Sequence, residues 1–205
     1  MGKNNFINIL KKTWHFIWEE DSALSWIVNI ILAIVLIKFV VYPGLGLAFG
    51  TGYPIVAVVS DSMEHSGMPF DSWWAVQHGF YDSKNISRQE FKSMPFQNGF
   101  NKGDLMVLFG TKPEKVRMGD VLVFMAGKPD PIIHRVVNIK NENDAYTFET
   151  KGDKNQAQIV TSWLDETNIR QNAVVGKAVL RIPYLGWVKI AAVDMVVSVI
   201  NLIRG

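Results

Sequence analysis

Residues 131–137 read Pro131-Ile132-Ile133-His134-Arg135-Val136-Val137 and place one histidine inside a short run of apolar, largely β-branched residues. A run of this kind, bounded by turn residues, predicts a β-strand. The chain has five further runs of the same character, so the sequence predicts a mainly β domain. The predicted strands are 55–59, 105–109, 121–125, 132–139, 146–150 and 174–182. Two Gly-Asp pairs, Gly103-Asp104 and Gly119-Asp120, precede two of these runs and predict turns that open strands.

Two other polar residues lie beside predicted strands and complete a candidate site with His134. Ser62 follows the run 55–59, and Asp153 follows the run 146–150. Each residue alone would more often be a turn or packing residue, but their order and flanking sequences favour a shared role. A serine hydroxyl needs a neighbouring base, and a neutral imidazole needs a third group to hold its tautomer. We therefore predict Ser62 as nucleophile, His134 as general base and Asp153 as the acid that orients the histidine.

Composition limits the classes of function. A chain of 205 residues with 48% hydrophobic content has room for one membrane anchor and one compact domain. The net charge of +2 is mild and its basic residues are dispersed, which argues against a nucleic-acid partner. The chain has no cysteine, and its four histidines lack the spacing of a metal site. The sequence therefore predicts neither a cofactor nor a metal.

Residues 24–42 are predicted to be a transmembrane anchor that follows a cytoplasmic segment, residues 1–23. These 19 residues are apolar except for Ser25, Asn29 and Lys38, and as a helix they would span roughly 28 Å, close to one bilayer core. A cleaved signal peptide would have a shorter apolar stretch nearer the terminus. Pro43-Gly44-Leu45-Gly46 is predicted to end the anchor.

The lysines predict the orientation of the anchor. Lys3, Lys11 and Lys12 precede it, and no lysine or arginine occurs between Lys38 and Lys84. The positive-inside rule therefore places the N-terminus in the cytoplasm and the β domain, residues 54–186, on the extracytoplasmic side.

The C-terminal segment, residues 187–205, is apolar apart from a few polar positions. Asp194, Ser198 and Asn201 would share one face of a helix there. We predict a membrane-associated helix, and both an interfacial helix and a second membrane span stay open. An amphipathic helix that packs on the β domain is the ordinary alternative.

Several motifs in one order resemble type I signal peptidases. They are the Ser60-Asp61-Ser62-Met63 run, the two Gly-Asp units, Ile133-His134-Arg135-Val136-Val137, Thr150-Lys151-Gly152-Asp153 and Arg181-Ile182-Pro183-Tyr184-Leu185-Gly186. The resemblance covers most of residues 54–188. His134 occupies the position at which the bacterial branch carries lysine, so the chain looks like the archaeal and endoplasmic-reticulum branch.

This resemblance implies a membrane-bound serine endopeptidase that removes signal peptides from secretory precursors, using a β-rich catalytic domain with an N-terminal membrane helix. By motif, Ser62 is the nucleophile, His134 the base and Asp153 the acid, and Ser60 matches a position that helps to form the oxyanion hole. The implied partners are signal-peptide-bearing precursors, the lipid bilayer and the protein translocation machinery.

The chain departs from the family pattern at three places. Asp61 replaces a glycine, and we read it as a solvated charge in preference to a group that perturbs a nearby imidazole. His65 replaces a proline, and we read it as a turn residue in preference to a second base. A second acid, which the family shows shortly after Lys-Gly-Asp, is absent at that spacing, so either Asp165 reaches back or Asp153 acts alone.

Residues 65–100 form an additional segment rich in aromatic side chains, among them Trp73 and Trp74. Two interpretations stay open: a subdomain that buries its own small core, and docking on the membrane interface, where tryptophan is favoured.

Two other classes of protein compete with the peptidase. A self-cleaving repressor-like peptidase would use a lysine base and a DNA-binding domain, whereas this chain has a histidine and an anchor. A catalytically silent, membrane-tethered binding subunit of a processing complex is the second alternative, and it would not need Ser62 or His134.

Overall fold

The computed structural model describes residues 3–188, 190–191, 194–195 and 197–198. The chain divides into two compact units, Met1–Ala48 and Phe49–Gly205.

The first unit is helical. Helix α1 spans Lys3–Trp18, and helix α2 spans Ala23–Leu36 after an N-cap at Ser22, whose hydroxyl accepts a hydrogen bond from the Ser25 amide. A π-helical turn, Ile37–Val41, then leads into helix α3, Tyr42–Phe49. Together α2, the π turn and α3 form one helix, Ala23–Phe49, that is long and apolar enough to cross a membrane.

The sequence predicted that the anchor ends at Pro43, but the helix continues to Phe49. The π turn explains this difference. A proline inside an α-helix has no N–H to donate, and its ring collides with the carbonyl four residues earlier. Here the amide of Tyr42 bonds to the carbonyl of Ile37, five residues back. The wider turn just before Pro43 loosens the backbone where that collision would occur, and the helix continues.

The second unit is built on one seven-stranded sheet, curved as a half-barrel, in which every neighbouring pair of strands is antiparallel. The strands are β1 Ile55–Ala57, β2 Leu105–Phe109, β3 Val121–Phe124, β4 Ile132–Glu142, β5 Ala145–Lys151, β6 Ile169–Arg170 and β7 Val174–Ile182. Their order across the sheet is β1-β2-β7-β3-β4-β5-β6. The six predicted strands are confirmed, and β6 is additional.

The two Gly-Asp turns have the predicted form. Gly103 and Gly119 have φ angles of +90° and +82°, which a side chain would make costly. In each turn the aspartate accepts a backbone amide three residues earlier, Asn101 for Asp104 (2.8 Å) and Arg117 for Asp120 (2.9 Å). These bonds set the starts of β2 and β3, and the second turn thereby fixes the strand that pairs with the histidine strand.

The apolar side chains of the sheet form two clusters. One includes Met63, Met106, Leu108 and Val123, and the other includes Leu122, Phe124, Val136 and Phe148. Met63 is fully buried directly after the predicted nucleophile, so the first cluster anchors the chain at that point.

Residues 65–100 contain helices α4, Phe70–Ser83, and α5, Arg88–Ser93. Their aromatic side chains form a third core with Val137 of β4, and Trp73 and Trp74 are only 1% and 8% exposed. The structure therefore favours the interpretation of a subdomain with its own core. It gives no support to membrane docking through these two tryptophans, because their rings are already buried in protein.

The predicted C-terminal membrane helix, residues 187–205, falls largely outside the described residues. Those described between 186 and 198 have helical backbone. Within the described chain, only Ala23–Phe49 meets the length and hydropathy of a membrane span, so the structure does not support a second one.

Candidate active site

Ser62 lies in a turn that follows β1, and its position is fixed by backbone hydrogen bonds to two other segments. The carbonyl of Ser62 accepts the amide of Lys154 (2.8 Å), and the carbonyl of Met63 accepts the amide of Phe100 (3.1 Å). Together with the buried Met63 side chain, these bonds hold the serine at a defined place beside the 152–155 loop.

His134 lies near the start of β4, opposite Leu122 of β3, and is 3% exposed. Its Nε2 is 2.9 Å from the hydroxyl oxygen of Ser62. The structure thus brings together the nucleophile and base that the sequence predicted, although they are 72 residues apart in the chain.

The acid at the other side of the imidazole is Glu166. Its Oε1 is 2.5 Å from Nδ1 of His134, and its side chain is fully buried. A carboxylate at Nδ1 places the proton there, because the carboxylate can only accept. Nε2 is then free to accept the proton of Ser62, which is the tautomer that a general base requires.

The position of Glu166 is itself set by hydrogen bonds. Its carboxylate accepts the Thr150 hydroxyl (3.1 Å) and the Ile159 amide (2.7 Å). Its backbone carbonyl also accepts a hydrogen bond from the amide of Thr150 in β5 (2.8 Å). Three donors, including the imidazole, therefore surround one buried carboxylate and fix its position.

The structure does not bring either predicted acid to His134. Asp165 is exposed and accepts the amide and hydroxyl of Thr167 instead. Buried and exposed side chains alternate here, since Leu164 and Glu166 are buried and Asp165 is exposed. This alternation directs Glu166 inward and Asp165 to solvent. That alternation, continued from Leu164, is the one sequence signal that favoured Glu166.

Asp153 is buried in a separate network. Arg135 donates to it from Nε (2.8 Å) and from one terminal nitrogen (2.7 Å), Tyr81 donates its hydroxyl (3.3 Å), and His65 Nε2 lies 3.1 Å away. Burial opposes ionisation of this carboxyl, but the charge and hydrogen bonds of Arg135 hold its pKa well below the ordinary value. Asp153 is thus an anion that neutralises Arg135, not a partner of His134.

His65 opens a turn, as predicted, because its carbonyl accepts the Met68 amide (3.0 Å), and its side chain has a further, buried packing role. Its ring is 4% exposed and stacks on Trp73 with centroids 3.8 Å apart, while Nε2 faces Asp153. The sequence missed this role because Asp153 and Trp73 reach His65 only through the fold.

Ser60 and Asp61 lie at the surface of the nucleophile turn. The Ser60 hydroxyl is 3.2 Å from the Ser62 hydroxyl, close enough to share a ligand oxygen. Asp61 pairs with Lys154, whose hydrogen bond lowers the pKa of the aspartate. It is an exposed charge with a lysine partner, consistent with the solvated interpretation.

A cleft of about 350 Å³ contains Ser62 and His134 in its lining. Most of the remaining lining is apolar, and it includes Ala57, Val59, Ile133, Ile159, Trp163 and Leu164. A larger cleft, about 1000 Å³, lies between α5 and the second Gly-Asp turn and contains neither residue. The smaller cleft is therefore the one that the serine and histidine can act in.

No group of three or more histidine, aspartate or glutamate side chains is placed to hold a metal ion among the residues that the structure describes.

Comparison with known proteins relates the chain to one family of enzyme subunits. It is 28% identical over 157 residues to the signal peptidase complex catalytic subunit SEC11C of Homo sapiens, covering 75% of this chain. It is 29% identical over 176 residues to the catalytic subunit sec11 of Schizosaccharomyces pombe, covering 84% of each protein. The match spans 65% of the length of the human relative. No family model matches the chain.

Proposed function

We propose that this chain, which is homologous to the catalytic subunits of signal peptidase complexes, is a membrane-bound serine endopeptidase that removes signal peptides from secretory precursors. The observation that carries the proposal is the hydrogen-bonded series Ser62, His134 and Glu166 at an apolar cleft. Its members have the roles of nucleophile, general base and orienting acid.

The precursor would enter as an extended strand. β1 is the last strand of the sheet and pairs with β2, and the peptide is proposed to lie beside this strand in extended form. The adjoining cleft has small and apolar walls at Ala57, Val59 and Ile133. These walls suit small apolar side chains next to the bond that is cut.

The reaction then follows from the contacts. His134 Nε2 removes the proton of the Ser62 hydroxyl as its oxygen attacks the scissile carbonyl. Glu166 stabilises the imidazolium, which gives that proton to the leaving amine as the peptide C–N bond breaks. A water molecule then enters, and His134 removes its proton as the water oxygen attacks the acyl-enzyme ester. The imidazolium gives this proton to the Ser62 oxygen as the ester C–O bond breaks, which restores Ser62 and His134.

The negative oxygen of each tetrahedral intermediate needs hydrogen-bond donors. The hydroxyl of Ser60 lies beside the Ser62 hydroxyl, and with the Ser62 backbone amide it would form the oxyanion hole. Ser60 is thus proposed as a donor to the reacting oxygen.

The membrane anchor is the helix Ala23–Phe49. Its 27 residues would extend about 40 Å, more than the roughly 30 Å hydrocarbon core, so it can cross with tilt or project beyond the bilayer. The positive-inside rule places its N-terminal end in the cytoplasm and the β-rich unit outside. Precursors emerging from the translocation machinery would be cut on that side, and partner subunits are proposed from the complexes named for the relatives.

Cleavage of a signal-peptide-bearing precursor by the detergent-solubilised chain tests the proposal. Ser62→Ala and His134→Ala should abolish cleavage at the signal junction, whereas the matched variants Ser93→Ala and His78→Ala, both at exposed positions, should cleave like the parent. Equal inactivity of the parent and both site variants, with precursor binding intact, would favour a catalytically silent binding subunit. Cleavage by Ser62→Ala would contradict the proposed nucleophile.

A further inference from the structure

Helix α1 has two contrasting faces. At about 100° per residue, one arc of the helix carries exposed apolar side chains and the opposite arc carries polar ones. The apolar arc includes Phe6, Ile7, Trp14 and Trp18, which are 65%, 41%, 62% and 69% exposed. The polar arc includes Asn5, Asn8, Lys12 and His15.

Exposure of this apolar arc to water would be costly. A buried large apolar side chain gains about 1.5–3 kcal/mol relative to an exposed one, and four such side chains lie on one short helix. Contiguous apolar surface of this kind marks a contact with another protein or with a membrane. The arc therefore needs a cover.

The contact between α1 and α2 indicates what covers it. Ser25 donates its hydroxyl to the carbonyl of Phe16 (2.7 Å), and Asn29 donates its side-chain amide to the carbonyl of Ile17 (2.8 Å). These two polar side chains lie in the otherwise apolar membrane helix, where lipid would leave them unsatisfied. They instead bind the last-turn carbonyls of α1, which have no partner within their own helix.

These bonds fix the depth of α1. Ser25 and Asn29 lie on the first two turns of α2, at the point where the helix would enter the bilayer. The C-terminal turn of α1 is held beside those turns, so its apolar arc lies at the boundary between headgroups and acyl chains. The lipid that surrounds the membrane helix at this depth would therefore also cover the apolar arc of α1.

The side chains of α1 suit a lipid surface. Trp14 and Trp18 pack on each other with ring centroids 5.6 Å apart, and tryptophan is favoured at the membrane interface. Lys11 and Lys12 lie on the flank and on the polar side, where ammonium groups meet anionic headgroups.

We propose that α1 is an interfacial helix that lies on the membrane surface at the N-terminal end of the anchor. Phe6, Ile7, Trp14 and Trp18 insert among the upper acyl chains, and Lys11 and Lys12 bind anionic headgroups. The helix then fixes the depth and rotation of the anchor through Ser25 and Asn29. This inference rests on the membrane anchor of the proposed function, and not on its peptidase chemistry.

The absence of cysteine from the sequence allows a direct test with single nitroxide labels on the full chain in phosphatidylcholine vesicles containing phosphatidylglycerol. Labels at Phe6→Cys and Trp14→Cys should be accessible to oxygen and protected from a water-soluble nickel complex. The matched polar-face labels, Asn8→Cys and His15→Cys, should show the reverse. Leu32→Cys, in the middle of α2, reports the anchor itself.

Each outcome separates the hypotheses. If the labels at 6 and 14 meet nickel as readily as those at 8 and 15, α1 lies in water and the inference is wrong. Protection at 6 and 14 from both oxygen and nickel would mean a protein cover and would also overturn it. Nickel access at Leu32→Cys would instead refute the anchor.

A second comparison tests the headgroup contact. Removing phosphatidylglycerol should raise nickel access at Phe6→Cys in the parent background. The additional changes Lys11→Gln and Lys12→Gln should abolish that response to lipid composition. An equal response in both backgrounds would contradict the role of the lysines.

Discussion

Glu166→Gln replaces a buried carboxylate by an amide of nearly the same shape. In the parent, Oε1 accepts from His134 Nδ1 and from the Thr150 hydroxyl, and Oε2 accepts from the Ile159 amide (2.7 Å). All three partners donate. Glutamine has one accepting oxygen and one donating nitrogen, so it cannot satisfy both sides of this arrangement.

The Ile159 amide is part of the backbone, so the glutamine oxygen is expected to face it. The glutamine nitrogen then donates to Nδ1 of His134, and the imidazole proton moves to Nε2, which can no longer accept from Ser62. The opposite orientation places two N–H donors face to face at Ile159, which costs about 1–3 kcal/mol. In the comparable change of a serine peptidase acid to its amide, the rate falls about 10⁴-fold, or about 5 kcal/mol.

Steady-state cleavage of a signal-peptide-bearing precursor, with kcat and KM measured separately, checks this expectation. The fall should appear in kcat with little change in KM, because Glu166 acts on the base and not on the bound peptide. Asp165→Asn is the matched control at the adjacent exposed acid and should be close to the parent. A Glu166→Gln variant within tenfold of the parent, or an equal fall in Asp165→Asn, would refute the reasoning.

Three further predictions concern the surroundings of the site. Asp153→Asn leaves the buried Arg135 without a counter-charge and should lower the free energy of unfolding by about 3–5 kcal/mol in urea titrations; an unchanged midpoint would contradict this. Gly152→Ala would place a methyl group 2.9 Å from His134 Nε2 and should lower kcat about 10²-fold in a folded protein; full activity would show that the loop can yield. Burial lowers the pKa of Lys151 to about 8, so the folded state binds fewer protons than the unfolded state between about pH 8 and 10.5. The free energy of unfolding should rise by about 3 kcal/mol across that window relative to Lys151→Met, and parallel pH curves would refute it.

The sheet could be predicted because each of its longer strands has a recognisable local sequence pattern. All six predicted runs are bounded by glycine, proline, asparagine or aspartate within a few residues, and their apolar character shows which segments need burial. β6, Ile169–Arg170, is only two residues long and has no period to detect. The helix beyond Pro43 was missed because a π turn depends on backbone adjustment and leaves no composition signal.

The site was predictable as far as its residues follow from strand position. Ser62 and His134 lie at and within apolar runs, so their placement followed from the strands. The choice of acid did not, because it depends on which basic side chain each carboxylate contacts. Arg135 takes Asp153, and the loop after β5 turns Glu166 toward the imidazole, and both are contacts between residues far apart in the chain.

The π turn at Ile37–Val41 also divides the long helix into two halves that are out of phase. A turn of this kind carries one extra residue, and one residue corresponds to about 100° of rotation about the axis. A stripe of side chains that faces one direction along Ala23–Leu36 therefore emerges on a different side along Tyr42–Phe49. Deletion of one residue within the turn would bring the halves back into phase, but it would also press the ring of Pro43 against the carbonyl that the wide turn had moved away.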